Sequence, residues 1–124
     1  MSNLGILLII YNHDLRQLYH EILVSEHWQT FDTSTITDAL VYLVIHHTIK
    51  VIILDTQFPH SELILFLKSL HSKLQWRSLP ICFLDADLNE PLPEELIKLL
   101  PATAFVSTHQ TAPDKLIETL KGLL

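Results

Sequence analysis

Residues 51–59 read VIILDTQFP, and the rest of the chain can be read around them. The stretch runs four apolar residues, Val51 to Leu54, into one acid, Asp55, and stops at Pro59. A short apolar run rich in β-branched residues and closed by proline reads as a strand buried on both faces, as in the interior of a parallel sheet. Asp55 then stands at the carboxyl end of that strand, the edge at which open α/β sheets bind ligands and do chemistry. A carboxylate there also suits a plain turn cap ahead of Pro59, and this stretch alone leaves both roles open.

The same pattern recurs on both sides. Residues 5–10, GILLII, read as another buried strand, ended by Tyr11 and Asn12. Asn12 suits an N-cap, with Asp14 in the first turn beside the helix dipole. Leu15, Leu18, Tyr19, Ile22 and Leu23 then fall at helical spacing to about Val24. Trp28 and Phe31 flank a weak strand, and Ser34 or Thr35 caps a second helix carrying Ile36, Ala39, Leu40, Leu43 and Val44, which ends near His46 and His47. A third helix spans 61 to about 74, a fourth strand 81–84 follows Pro80, a short helix 94–100 follows an acidic turn, a weak fifth strand covers 104–107, and a last helix starts at Pro113 and Asp114. Strands alternating with helices predict a parallel sheet with right-handed crossovers and helices on both faces. With no linker, repeat or low-complexity stretch, residues 1–124 read as one domain.

Composition bounds the function. Apolar residues make up 48% and charged residues 18% of 124, which marks a packed globular chain. A net charge of −6, with Lys and Arg never forming a run, argues against a nucleic-acid surface. Cys82 is the one cysteine, so no internal disulfide forms. No apolar run is long enough to span a bilayer and no signal peptide is legible, so a cytoplasmic protein without a membrane partner is the expectation. The eight histidines contain no H-x-x-x-H pair, and the adjacent His46 and His47 point about 100° apart on a helix, so solvated histidines are favoured over a zinc site. Glycine occurs only at Gly5 and Gly122, which leaves no phosphate-cradling loop, and no G-x-S-x-G turn exists. The Glu94–Glu95 pair reads as a helix N-terminal charge. An enzyme is therefore not expected.

Taken together, these segments resemble the receiver domain of two-component response regulators, the CheY-like family. VIILDTQFPHSELILFLKSL looks like its phospho-acceptor strand, following loop and third helix, LQWRSLPICFLDA like its approach to the fourth strand, and ILLIIYNHDLRQLYHEIL like its first strand and helix. The resemblance covers nearly the whole chain. It implies a flavodoxin-like (βα)5 three-layer sandwich with a parallel five-stranded sheet in order 2-1-3-4-5.

Carried over residue by residue, the resemblance keeps one signature position and loses the rest. Asp55 matches the phosphorylated aspartate. Ile10 and Tyr11, followed by Asn12, stand where the family has the acid pair that holds Mg²⁺. Asp85 replaces the Thr or Ser that bonds the phosphoryl group, and Thr108 and His109 occupy the place of the Lys-Pro pair. Phosphoryl transfer needs its developing charge neutralised, and Mg²⁺ wants carboxylate oxygens. Ile10 supplies no ligand, a Tyr11 phenol is a poor one, and the charge of Asp85 repels phosphoryl oxygens. The expectation is a stand-alone pseudo-receiver without a cofactor, acting through protein–protein contact. The alternative is an atypical receiver that accepts phosphate on Asp55 with Mg²⁺.

The resemblance implies a histidine kinase or an effector as partner, or a second copy in a homodimer. Two contact surfaces are expected. One is the first turns of the third helix, where Leu63 replaces a residue that is usually glycine in the family and Leu65 would face outward; the same apolar run also suits a broad core contact, and the sequence leaves both readings open. The other is the face of the fourth helix, fifth strand and last helix, with Glu95, Lys98, Phe105 and Lys115, which the family often uses for partners and dimers.

Overall fold

The structure is a computed structural model that describes residues 4–84, 103–106 and 113–123, with side chains placed for 4–84 and 116–123. The apolar runs form the strands β1 (Gly5–Ile9), β2 (Gln29–Thr33), β3 (Ile49–Asp55), β4 (Ile81–Leu84) and β5 (Thr103–Val106). All neighbouring strands are parallel, in the order β2-β1-β3-β4-β5. The helices are α1 (His13–Ser25), α2 (Ile36–Ile45), α3 (His60–Ser72) and α4 (Pro113–Leu123). The expected helix 94–100 lies outside the described residues.

Alternation along the strands sorts the apolar side chains to two faces. Leu7, Ile9, Ile52, Leu54 and Phe83 pack against Ile36, Ala39 and Leu43 of α2 and Leu63, Phe66, Leu67 and Leu70 of α3. On the opposite face Ile6, Leu8, Ile10, Val51, Ile53, Cys82 and Leu84 meet Tyr19 and Leu23 of α1 and Leu116, Ile117 and Leu120 of α4. The sheet is therefore the middle of three layers, which explains why its central strands read as unbroken apolar runs.

Local chemistry sets the ends of the elements. The Asn12 side chain accepts the Leu15 N–H at 3.0 Å and starts α1. Thr35, not Ser34, caps α2, its hydroxyl accepting the Asp38 N–H at 3.1 Å. α1 ends in a Schellman motif, with the His27 N–H on the Val24 carbonyl, the Trp28 N–H on the Leu23 carbonyl, and His27 at φ 66°. Trp28 and Leu23 pack on the same core face, the apolar contact that accompanies this motif.

β3 is longer than its apolar run. Ile49 pairs with Gly5, and the register then skips to Ile6 opposite Val51, which leaves Lys50 as an extra, exposed residue. Gly5 serves this junction. Its N–H donates to the Thr48 carbonyl at 2.8 Å, and a Cβ there would come within 2.8 Å of that same oxygen.

α3 corrects one expectation. Leu63 is 1% exposed and packs among Phe66, Leu67 and Leu70, the i, i+3, i+4, i+7 stripe that faces the sheet. It is core and not a docking residue. Leu65, two residues on, falls on the opposite side and is 59% exposed, as expected. Among the described residues no helix is long and apolar enough to cross a membrane.

Candidate functional site

β3 ends on Asp55, which brings this carboxylate to the carboxyl edge of the sheet beside the end of β1. Asp55 is 1% exposed. A buried carboxylate requires donors, and the backbone supplies them. One oxygen accepts the Tyr11 N–H at 3.1 Å, and the other accepts the Gln57 N–H at 3.0 Å. The first bond ties the β1–α1 loop to β3, and the second turns the chain as it leaves the strand. The next residue, Thr56, anchors that loop to β4: its N–H and its hydroxyl both donate to the Leu84 carbonyl, at 3.1 and 2.8 Å.

Ile10 and Tyr11 directly follow β1, and neither presents an acid. The Ile10 side chain is fully buried on the α1/α4 face, and its N–H bonds the Thr33 carbonyl at 3.2 Å. Tyr11 turns outward, 63% exposed, with its ring edge-on to Phe58 at 5.7 Å between centroids and 86° between planes. Phe58 itself is buried in the α2/α3-side core. The Tyr11–Phe58 contact therefore bridges the two loops that flank Asp55. Asn12 uses its side-chain oxygen to cap α1.

Behind Ile10 stands a polar cluster that the sequence did not reveal. Arg16, one turn into α1, donates to the Ile10 carbonyl at 2.9 Å and to His13 Nδ1 at 3.1 Å. That second bond makes Nδ1 of His13 the acceptor, so a neutral His13 carries its proton on Nε2. Arg16 Nε is also 3.8 Å from Asp32 of β2, whose other oxygen lies 3.2 Å from His20 Nδ1 outside hydrogen-bond geometry. The cation of Arg16 thus serves the end of β1 and Asp32. The only hint in the sequence is its placement four residues after the helix cap, where a long side chain reaches back to the strand it follows.

The donors at these positions do not suit Mg²⁺, which takes oxygen ligands in octahedral geometry with carboxylates among them. Asp55 offers one carboxylate already bonded to two backbone N–H groups, Ile10 offers a hydrocarbon, and Tyr11 offers an outward-facing ring. Asp85, Thr108, His109, Glu95 and Lys98 lie outside the described residues. Phe105 and Lys115 are placed only as backbone, in β5 and α4.

No protein-family model and no curated protein sequence matches the chain. Its likeness to solved structures is extensive. It is 21% identical to the chemotaxis response regulator CheY4 of Vibrio cholerae, covering 98% of each chain with a TM-score of 0.80. It is 15% identical to a CheY-like response regulator receiver domain from Methylobacillus flagellatus, over 99% of this chain and 100% of that one, at TM-score 0.78. It is 19% identical to the receiver domain of a signal transduction histidine kinase from Syntrophus aciditrophicus, over 97% and 89%, at TM-score 0.76. With this sheet order, these two helical layers and an aspartate closing the central strand, the chain has the fold of a CheY-like receiver domain.

Proposed function

We propose that the chain is a signalling module of the two-component type, a pseudo-receiver that works through protein–protein contact and does not take phosphate on Asp55 by the usual Mg²⁺-dependent route. One observation carries this reading. The end of β1 gives Asp55 a backbone N–H from Tyr11, and the Ile10 side chain beside it is buried in the core. A phosphoryl donor approaching Asp55 meets no metal-binding acid pair there, and transfer without charge neutralisation is slow. The structures it resembles include a chemotaxis response regulator and the receiver domain of a signal transduction histidine kinase, which supports a signalling partner, either a kinase or an effector.

Binding then comes from the resting surface. Leu65, exposed on α3, is the contact residue on that helix, and Leu65→Glu is expected to weaken partner binding while leaving the fold intact. The retained, buried Asp55 favours a second reading, an atypical acceptor in which Asp85 joins Asp55 to hold Mg²⁺.

A Mg²⁺ titration followed by amide NMR separates the two readings. The pseudo-receiver shows no saturable shift at the Tyr11 and Gln57 amides, the two donors to Asp55. A saturable shift at both, lost in Asp55→Asn, would establish a metal site and favour the second reading.

A further inference from the structure

Arg16 and Asp55 stand at the two ends of one peptide group. The Ile10–Tyr11 peptide is trans, so its C=O and N–H point in opposite directions. The C=O accepts from Arg16 Nη1 at 2.9 Å, and the N–H donates to Asp55 Oδ2 at 3.1 Å. A cation lies at the negative end of this dipole and an anion at its positive end. Both charges polarise the peptide in the same sense, so each bond strengthens the other.

The guanidinium is built into this place. The Arg16 side chain is 15% exposed, and its three nitrogens face three different groups: Nη1 the Ile10 carbonyl, Nη2 the His13 Nδ1 at 3.1 Å, and Nε the Asp32 carboxylate at 3.8 Å. A planar fork serves three directions at once, which the compact ammonium of a lysine does not. The helix brings the fork there. Arg16 donates its own N–H to the Asn12 carbonyl at 3.0 Å, and side chains of a helix lean back over the turn before them. The Ile10 N–H is taken by the Thr33 carbonyl at 3.2 Å. The chain just past β1 is thus fixed to β2, α1 and β3 together.

We infer that Arg16 is the positioning residue of the Asp55 site: through the Ile10–Tyr11 peptide it delivers positive charge to the buried carboxylate and fixes the loop between β1 and α1 against β3. The inference rests on the pseudo-receiver reading, in which the residues after β1 give Asp55 no metal-binding acids while the burial of its charge still has to be offset. It makes the start of α1 and Asp55 one unit, because His13 and Asp32 share the cation that Asp55 feels.

A double-mutant cycle tests it, with Arg16→Met, Asp55→Asn and the double variant followed by amide NMR and urea unfolding in metal-free buffer. Arg16→Met moves the Tyr11 amide proton upfield and speeds its hydrogen exchange about tenfold, the loss of one charge-assisted bond. The Ile10 and Leu15 amides, which bond Thr33 and the Asn12 side chain, keep their exchange rates. Arg16→Lys restores part of the Tyr11 change, because it keeps the charge. In the cycle the double variant loses less stability than the two single variants summed, since either change alone already weakens the shared peptide. A merely structural Arg16 would loosen the first turn of α1 as a whole, moving the Ile10 and Leu15 amides along with Tyr11 and giving additive losses. That result overturns the inference, and so does a Tyr11 amide unmoved in Arg16→Met. If Arg16→Met does not fold, Asp55→Asn alone decides: the Ile10 carbonyl carbon moves upfield as its bond to Arg16 weakens, and an unmoved carbon overturns the inference. Failure of the pseudo-receiver reading shows separately, as a Mg²⁺-dependent shift of the parent chain.

Discussion

Leu63 and Leu65 lie two residues apart on α3 and should answer mutation in opposite ways. Leu63 is 1% exposed among Phe66, Leu67 and Leu70, so Leu63→Ala removes three buried carbons and leaves a void in a packed core. The lost transfer energy is about 2–3 kcal/mol, and the cavity brings the total to about 3–5 kcal/mol. Leu65 is 59% exposed, and Leu65→Ala or Leu65→Glu should change stability by no more than about 0.5 kcal/mol. Urea unfolding measures both. With a slope of about 1.5–2 kcal/mol per molar for a chain of this size, Leu63→Ala lowers the midpoint by roughly 2 M. Leu65 variants shift it by a few tenths. A Leu63→Ala loss below about 1 kcal/mol, or a Leu65→Glu loss above 2 kcal/mol, would mean that α3 is rotated from the orientation described.

Three further outcomes follow from other parts of the fold. Gly5→Ala should cost about 1–3 kcal/mol in the same assay, because its Cβ would collide at 2.8 Å with the backbone oxygen of Thr48 and strands cannot give as a side-chain tip can. An unchanged midpoint would show the β1–β3 junction to be looser than this. His27→Gly should raise stability by up to about 1 kcal/mol, since φ 66° at the α1 terminus strains a residue with a Cβ, and a loss would refute the Schellman assignment. Burial pushes the Cys82 thiol up to about 12 from an ordinary 9.0, so the native chain keeps a proton that the unfolded chain releases. This group's contribution is full below pH 9 and falls by about 1.4 kcal/mol per pH unit between 9 and 12, a slope that Cys82→Ala should remove from the pH dependence of the urea midpoint.

Much of the fold was legible because the local signals agree with the tertiary structure. Asn12 announces the start of α1 and the Ser34–Thr35 pair that of α2, where Asn12 and Thr35 are the caps, and residues 81–84 follow Pro80 as a buried strand. The sheet order came with the receiver resemblance. α3 was ambiguous for a physical reason. Leu63, Ile64, Leu65, Phe66 and Leu67 have no polar contrast, so periodicity alone does not say which side meets the sheet, and only the packed helix decides for Leu63 between core and surface. The end of α1 gave no warning because a histidine occupies a left-handed position where glycine would have signalled one.

Of the site, the position of Asp55 at the strand end was legible in the sequence, but not how its carboxylate is held. Asp55 was placed at the strand end by its neighbours. The donor from Tyr11 is a backbone N–H, which every residue but proline carries, so no side-chain pattern could reveal it. The Arg16 bond to the Ile10 carbonyl and the Tyr11–Phe58 ring contact depend on how α1 and two loops come together in space. Sequence spacing does not encode these.

Intact-mass spectrometry after incubation with Mg²⁺ and acetyl phosphate checks the proposal that Asp55 is not an ordinary phosphate acceptor. With Ile10 buried and Tyr11 offering Asp55 only its backbone N–H, the mass of the chain should stay unchanged and match that of Asp55→Asn treated alike. A gain of one phosphoryl group in the parent chain, absent from Asp55→Asn, would contradict the account and establish a phosphate-driven receiver.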